Sequence, residues 1–381
     1  MNKTLRTALC LLLAGTLVPA AATSAAATER PELQQVLDRA VAGGGVPGIL
    51  AEVRDGRTRW FGTAGVADTG TGRERTSRDR FRIGSLSKAF TSTVVLQLDA
   101  EGRLDLDDTV ESRLPGMVRG GDRITVRQLL NQTSGIFNYS LDEKLVSTYV
   151  GPGFLEHRFD RVRREDLVEI AMAHPPVFEP GEGWGYSNTN FVLAGMIIEK
   201  VTGHTYAQEV ARRIARPLGL TGTYVPGDDE TRLRGPHSRH YSKLMLPDPD
   251  AEVHDVTEMN VSGAWAAGGV VSTAGDLHRF MGALLGGRLL PPAQQRELLT
   301  GVSTEGGGWL PDTTYGLGIF WQKLACGVTV WGGGGAINGS WTYAMGSRDG
   351  RHLLVSNVNG DWDNPLATFN AALAAEFCPA R

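Results

Sequence analysis

The sequence predicts an α/β fold in which one antiparallel sheet, built from both ends of the chain, is flanked by helices and interrupted by a large all-helical insertion. Residues 47–53 and 58–66 have strand-like patterns and are joined by the turn dipeptide Asp55-Gly56. Comparable strand patterns return only near the C-terminus, and the segment between has mainly helical periodicity. Strands at both ends with helices between them favour a single sheet with an inserted helical part.

The individual elements follow from the spacing of apolar residues and from turn signals. One helix is predicted to start at Ser85. Other helices are predicted at residues 31–42, 124–130, 166–173, 191–201, 206–218, 276–285 and 365–377. Late strands are predicted at residues 315–323, 328–331, 339–346 and 352–357. We therefore assign residues of about 28–85 and 300–381 to the α/β part and about 86–299 to the helical part of one domain.

The first 27 residues have the features of a secretory signal peptide. Lys3 and Arg6 precede an apolar stretch, and an alanine-rich run follows in which cleavage is expected. No later stretch is long and apolar enough to span a bilayer. We expect a secreted, extracellular protein without a stable membrane anchor, and a monomer.

Charge and cysteine content narrow the possible partners. The 38 basic and 42 acidic residues are nearly balanced, and no basic stripe appears, so a nucleic-acid partner is not expected. Cys326 and Cys378 remain after the signal peptide. In an oxidising compartment an even pair favours a disulfide, which would tie the last helix to a late strand; two buried thiols are the alternative.

The motif Ser85-x-x-Lys88 stands at the start of a long apolar helix. Residues three apart share one helix face, so the amine of Lys88 would lie close enough to take the proton of the Ser85 hydroxyl. By itself the motif is weak evidence, because a surface serine near a solvated lysine arises often by chance. Its meaning depends on other features of the chain.

Two further features follow in a fixed order. Tyr186-Ser187-Asn188 lies in a glycine-rich loop about a hundred residues after Ser85, and four consecutive glycines at 332–335 begin or precede a late strand. This order and spacing resemble the serine β-lactamase and penicillin-binding protein superfamily, and most closely its secreted actinobacterial D-alanyl-D-alanine carboxypeptidases, which are similar to class C β-lactamases. The resemblance extends over nearly the whole chain after the signal peptide.

The resemblance implies a role for each matching residue. Ser85 would form the acyl-enzyme, Lys88 would help to deprotonate it, Tyr186 would transfer a proton to the leaving amine, and Asn188 would bind the substrate amide and Lys88. Burial and cationic neighbours would lower the pKa values of both Lys88 and Tyr186 toward neutrality. The backbone N–H groups of Ser85 and Ala336 would form the oxyanion hole. The substrate would be a small peptide, an ester or a β-lactam, without a cofactor or metal.

The sequence departs from the family at its third motif. Gly333, Gly334 and Gly335 stand where the family has Lys or His, then Thr or Ser, then Gly, and Gln132 replaces a usual His. Phe320, next to Trp321, occupies the position of the Arg that binds the substrate carboxylate. We expect the three glycines, Phe320 and Trp321 to line the substrate site and to offer only apolar surface and backbone. Capture of a free carboxylate, by contrast, needs a charged donor.

Two interpretations follow from this departure. In the first, residues 28–381 form a serine hydrolase with specificity shifted toward D-peptides, esters or amides. In the second, turnover is impaired and the protein acts as a binding or scavenging module. Other classes of protein fit less well, because the sequence has no Gly-x-Ser-x-Gly elbow, no dinucleotide-binding glycine motif and no His-Glu-x-x-His or Cys-x-x-Cys metal motif.

Overall fold

A computed structural model describes residues 29–379 of the chain. The predicted signal peptide at residues 1–27 lies outside the described residues. None of the helices within residues 29–379 is both long enough and apolar enough to cross a membrane.

Thirteen α-helices occur among the described residues. In chain order they are α1 Pro31–Val41, α2 Ser87–Ala100, α3 Val110–Arg113, α4 Val126–Leu130, α5 Glu143–Tyr149, α6 Phe154–His157, α7 Arg164–Met172, α8 Asn188–Thr202, α9 Tyr206–Val210, α10 Trp265–Gly268, α11 Ala274–Leu285, α12 Pro292–Leu298 and α13 Pro365–Phe377. Local chemistry explains several of their ends. Thr125 caps α4 with a capping box, and Gly203, with φ of 73°, ends α8 in the left-handed conformation.

Strands lie mainly at the two ends of the described chain. In order they are β1 Gly48–Asp55, β2 Thr58–Asp68, β3 Arg73–Glu74, β4 Phe81–Arg82, β5 Tyr241–Ser242, β6 His254–Asp255, β7 Val271–Ser272, β8 Val302–Ser303, β9 Thr313–Tyr315, β10 Phe320–Lys323, β11 Thr329–Ile337, β12 Ser340–Gly346 and β13 His352–Val358.

Nine of these strands form one antiparallel sheet in the order β3-β2-β1-β13-β12-β11-β10-β9-β8. The first and last strands of the chain therefore meet at its centre, where Ile49 of β1 pairs with Val358 of β13. One face packs on α1 and α13, and the other packs on a larger core that includes α2, α8 and α11. The predicted α/β fold with a sheet from both chain ends and flanking helices is confirmed.

The structure corrects three details of the predicted elements. The single strand expected at 315–323 is two strands, because Gly318, with φ of 77°, reverses the chain so that Phe320 pairs with Tyr315. The inserted part is not all-helical, since β5 pairs with β6 within it and β7 pairs with β4 of the α/β part. The helix expected at 206–218 changes at Ala211–Ala215 to a π-helical turn.

Strand β11 forms the junction between the two parts of the fold. Its first half, up to Gly332, pairs with β10, whereas Gly333 to Ile337 pair only with β12. The second half therefore has a free edge on one side. Elsewhere on the sheet's rim, Cys326 and Cys378 are joined in a disulfide, with 5.9 Å between their α-carbons, which links the β10–β11 turn to the end of α13.

Candidate active site

Ser85 lies on a single 3-10 turn, Gly84–Leu86, that leads directly into α2. Gly84 has φ of 53°, and a β-carbon there would lie 2.6 Å from the backbone nitrogen of Ala336. Only glycine allows this turn to pack directly on β11. Ser85 is half-buried, so it is partly accessible to solvent and does not lie in the core.

Lys88 follows one turn later and is 1% exposed. Its Nζ lies 3.1 Å from Ser85 Oγ, 2.7 Å from Asn188 Oδ1 and 2.7 Å from the carbonyl oxygen of Ala267. Burial lowers the pKa of Lys88 well below its ordinary value. A neutral amine has two N–H donors, which match the two carbonyl acceptors, so its lone pair is left to accept the proton of Ser85.

Tyr186 lies on the other side of the nucleophile. Its phenol is hydrogen-bonded to Ser85, Lys88 Nζ lies 4.8 Å from its ring centroid, and its ring stacks on Trp309 with 4.6 Å between centroids. Burial raises the pKa of Tyr186, and the bond to Ser85 only partly offsets this. The expectation of a lowered tyrosine pKa is therefore wrong, because desolvation penalises a phenolate as it does an ammonium. The Tyr186 phenol is therefore protonated at neutral pH, whereas the pKa of the neighbouring Lys88 amine is shifted in the opposite direction.

Asn188 is held by residues that the sequence analysis did not identify. Its Nδ2 donates to Ser140 Oγ at 2.9 Å, and its backbone N–H donates to Asn138 Oδ1 at 3.0 Å. These bonds fix the amide so that its oxygen faces Lys88. Asn138 and Ser140 lie three and five residues after the Thr133-Ser134-Gly135 turn, and no spacing signal would have singled them out.

Gln132 holds the loop that carries Tyr186 in place through hydrogen bonds. It is fully buried with φ of 68°, and its Oε1 accepts bonds from Ser187 N at 3.0 Å and Asn190 Nδ2 at 2.7 Å. In the sequence it stands where the family has a histidine. In the structure it is a positioning residue, because it holds the backbone of Ser187 and the side chain of Asn190 on either side of Asn188.

The two predicted oxyanion-hole groups lie at one junction. A β-carbon on Gly335 would collide with the Ser85 backbone nitrogen and would lie 2.6 Å from that of Leu86. Ala336, the next residue, has its nitrogen beside Gly84 and is exposed. The backbone N–H groups of Ser85 and Ala336 are thus neighbours on the strand that has the free edge.

The remaining predicted substrate-binding residues lie elsewhere. Phe320 is buried against Trp309 and Tyr343, behind the ring that supports Tyr186. Trp321 stacks on Trp331 with 4.1 Å between centroids. Neither is among the residues that line the cavity beside Asn188 and Ala336, so their role as substrate contacts stays a prediction. Strand alternation and the extra hairpin at β9–β10, which the sequence pattern did not show, place the two rings there.

Neighbouring side chains fill the space beside the glycines at 333 and 334. A β-carbon on Gly333 would lie 2.7 Å from Leu86 Cδ1, and one on Gly334 would lie 2.5 Å from the ring of Tyr343. Neither position therefore points toward open space. Of the run, Gly335 lies against the backbone of Ser85, and the contact of all three glycines with substrate through their backbone stays a prediction.

A cavity of about 360 Å³ opens beside Asn188 and Ala336. Its walls are mainly apolar and aromatic, and include Tyr139, Tyr149, Phe154, Leu145 and Trp341. One guanidinium, that of Arg158, also lines it, with Nη1 donating to the Asp255 carbonyl oxygen at 3.0 Å and a buried Nε without a partner in the described chain. The cavity is large enough for an aromatic side chain and has a cation that the sequence analysis missed.

The arrangement is suited to acyl transfer. A buried amine with a lowered pKa faces a hydroxyl, a protonated phenol stands beside the same hydroxyl, and the backbone nitrogens of Ser85 and Ala336 lie where the nucleophile turn packs on β11. Among residues 29–379, no group of three or more His, Cys, Asp or Glu side chains is placed to hold a metal ion.

Comparison with known proteins places this site in a family. The family model described as Beta-lactamase matches residues 33–377, so the chain belongs to the beta-lactamase family. Among curated proteins it is similar to penicillin-binding protein 4* of Bacillus subtilis, with 28% identity over 85% of this chain and 71% of that protein. It is also similar to esterase EstB of Burkholderia gladioli, with 30% identity over 78% of this chain and 82% of that protein.

Solved structures add two more relatives. A D-stereospecific amidohydrolase from Streptomyces sp. is 50% identical with a TM-score of 0.85, covering 93% of this chain and 100% of that one. The D-amino acid amidase of Ochrobactrum anthropi SV3, complexed with L-phenylalanine amide, is 28% identical with a TM-score of 0.78, covering 91% of this chain and 97% of that one. The chain is thus a member of a serine hydrolase superfamily whose relatives include penicillin-binding proteins, an esterase and amidases.

Proposed function

We propose that this protein is a D-stereospecific serine hydrolase that cleaves amides and esters of D-amino acids through an acyl-enzyme on Ser85. The observation that most supports this is the combination of the neutral Lys88 amine 3.1 Å from Ser85 Oγ with an apolar cavity beside it. The specificity for D-amides is inferred by analogy with the D-stereospecific amidohydrolase from Streptomyces sp., which is 50% identical to this chain.

The proposed reaction has two halves. Lys88 takes the Ser85 proton, Oγ attacks the substrate carbonyl, and the oxyanion is stabilised by the N–H groups of Ser85 and Ala336. As the carbon–nitrogen bond breaks, Tyr186 gives its proton to the leaving amine, and the Lys88 ammonium restores it. Water then attacks the ester on Ser85 with Lys88 again as base, which releases the acid and the free enzyme.

The cavity supports a hydrophobic D-amino acid as the acyl part. A phenylalanine-sized side chain would meet Tyr139, Tyr149 and Phe154, where aromatic contacts and desolvation favour binding. We further propose that the protein is exported, which the signal-like N-terminus and the Cys326–Cys378 disulfide support. The predicted monomer stays a prediction.

A carboxypeptidase activity is the second candidate, and Arg158 is the observation that favours it. A guanidinium at the cavity wall could bind the free carboxylate of a D-alanyl-D-alanine peptide. Its Nη1 is already bonded to Asp255, however, and the aromatic walls fit an apolar group better. We therefore expect the amidated or esterified peptide to be the better substrate than the free acid.

The test pairs enantiomers and a nucleophile variant. D-phenylalanine amide and its L-enantiomer are incubated with wild-type protein and with Ser85→Ala, and product is measured by chromatography. Intact mass after D-phenylalanine methyl ester reports the acyl-enzyme. We expect turnover of the D-amide and a covalent adduct only in the wild type. Equal rates on both enantiomers would contradict the stereospecificity, and no reaction of the wild type with these substrates, a penicillin or a fluorophosphonate would support a binding module instead.

The same assay separates the carboxypeptidase alternative. Release of D-alanine from a D-alanyl-D-alanine peptide is compared with hydrolysis of its C-terminal amide, for wild type and Arg158→Ala. Faster cleavage of the free acid, lost in Arg158→Ala while the amide is cleaved as before, would make carboxypeptidase the principal activity.

A further inference from the structure

A second cavity, of about 1010 Å³, lies at the other end of the sheet from Ser85. Six arginines line it: Arg54, Arg57, Arg279, Arg288, Arg348 and Arg351. Asp349 is the only acidic residue among its lining residues. The chain as a whole has a net charge of −4, so this concentration of positive charge is opposite in sign to the molecule that carries it.

Internal ion pairs account for two of these arginines. Arg54 pairs with the buried carboxylate of Glu52 at 2.8 Å, and Arg279 pairs with Asp276. Within residues 29–379, none of the other four makes an ion pair within 4 Å, although Arg351 interacts electrostatically with Asp349 beyond that distance and Arg348 lies over the ring of Trp331 at 5.1 Å. Four guanidinium groups are therefore left to solvent around one cavity.

The four arginines come from three separate turns. Arg57 is in the β1–β2 turn, Arg288 follows α11, and Arg348 and Arg351 flank the β12–β13 turn. All four are exposed. Asp349, the one acidic residue of the lining, already accepts bonds from Ser347 Oγ at 2.6 Å and Arg351 N at 3.1 Å. Folding thus brings together charges that are up to about 300 residues apart in sequence and repel one another.

We propose that this arginine surface, formed by Arg57, Arg288, Arg348 and Arg351, binds a linear phosphodiester polymer that carries no bases. Guanidinium groups bind phosphate oxygens in a bidentate manner and remain charged at any physiological pH. A single exposed pair contributes little, so four groups on different turns suit a ligand that carries many phosphates. No Phe, Tyr or Trp lines the cavity, and the nearby ring of Trp331 is already in contact with Arg348 and stacked on Trp321, which disfavours single-stranded nucleic acid, whose binding uses stacking on free aromatic rings.

The surface is remote from the acyl-transfer site. Strand β12 runs from Trp341, which lines the substrate cavity, to Gly346, close to Arg348. Seven residues in a strand span roughly 20 Å. A polymer on the arginine surface would therefore hold the protein with its substrate cavity open. This inference does not depend on the proposed function.

The test measures binding of fluorescently labelled poly(glycerol phosphate), of about 20 units, by anisotropy at a series of salt concentrations. The variant is the triple substitution Arg57→Gln, Arg288→Gln and Arg351→Gln. Its matched control is Arg39→Gln, Arg78→Gln and Arg216→Gln, three exposed arginines elsewhere that have no ion pair in the described part of the chain. Both triple variants change the net charge equally, so only the position of the charge differs.

We expect the surface variant to lose affinity and the control to keep nearly all of it. The slope of log K against log salt should fall in magnitude by about 2, since each phosphate contact to a single strand contributes about 0.7. Equal binding by the two triple variants would overturn the proposal. Oligo(dT) of the same length binding as tightly as the polymer would overturn the restriction to polymers without bases, and poly-glutamate binding as tightly would overturn phosphate recognition. A circular dichroism spectrum and a thermal unfolding midpoint like those of the wild type show that the surface variant is folded.

Discussion

The backbone of Gly335 lies against the amide of Ser85, with no space for a side chain between them. This contact holds the nucleophile turn on strand β11 and keeps the Ser85 N–H next to that of Ala336. Gly335 stands where the family motif itself has glycine, and this contact gives the structural reason for a glycine at that position.

Substitution of Gly335 by alanine should damage both stability and catalysis. The new β-carbon would overlap Ile83, Ser85 and Leu86 backbone atoms, which cannot move as a flexible side chain can. We expect a loss of about 1–3 kcal/mol in the free energy of unfolding, and a fall in kcat from displacement of the oxyanion-hole groups. Gly227→Ala is the matched control, because nothing lies within 4 Å of a β-carbon there. If both variants unfold at the same urea concentration as wild type, the close contact is not a constraint.

The pH dependence of kcat/KM should have an acid limb set by Lys88. Because burial lowers the pKa of this amine, it should lose its proton well below the ordinary lysine value of about 10.4, so activity should rise with pH over a range well below that value. Lys88→Arg, which cannot lose its proton, should fall roughly 10²-fold or more in acylation rate. An acid limb near pH 10 in wild type would show that Lys88 is charged in the free protein.

The same shift predicts a pH dependence of stability. Between the lowered pKa of Lys88 in the folded protein and about 10.4, the unfolded chain holds a proton that the folded one lacks, so the free energy of unfolding rises with pH in this window. The stability of the wild type relative to Lys88→Met should therefore rise with pH within this window. Below and above the window, the difference in stability between the two proteins should stay constant. Parallel stability curves for the two proteins across that window would contradict this.

Tyr186→Phe should remove a proton donor and leave the base intact. The raised pKa of the Tyr186 phenol keeps it protonated at neutral pH. We expect amide hydrolysis to fall by about 10²–10⁴-fold, whereas a p-nitrophenyl ester, whose leaving group needs no proton, should lose far less. The acid limb of the ester reaction should keep its position. Its disappearance in Tyr186→Phe would mean that the tyrosine is the base.

Removal of the disulfide should lower stability without changing catalysis. Cys326 and Cys378 close a loop with a sequence separation of 52 residues, and neither lines the substrate cavity. The chain-entropy model gives a loss of about 4 kcal/mol for the double serine variant. Urea denaturation measures this, and kcat on a D-amino acid ester is the control. A variant as stable as wild type would show that the bond adds no constraint beyond the packing of α13.

The sequence predicted the sheet and most long helices because each has a complete local signal. The hairpin at Asp55-Gly56, the Thr125 cap and the glycine after α8 are such signals, and all three appear in the structure. Short strands in the inserted part have two residues each, too few to show a period, and the β9–β10 hairpin depends on a single glycine conformation.

By itself, the sequence determined that Ser85, Lys88, Tyr186 and Asn188 belong together, because their order and spacing match a family with one fold. Only the tertiary structure decided what surrounds them. Burial, which depends on every packed element, sets the pKa shifts of Lys88 and Tyr186 in opposite directions. Likewise, Gln132 holds the Tyr186 loop and Arg158 enters the cavity through contacts between distant segments, which no local pattern of residues encodes.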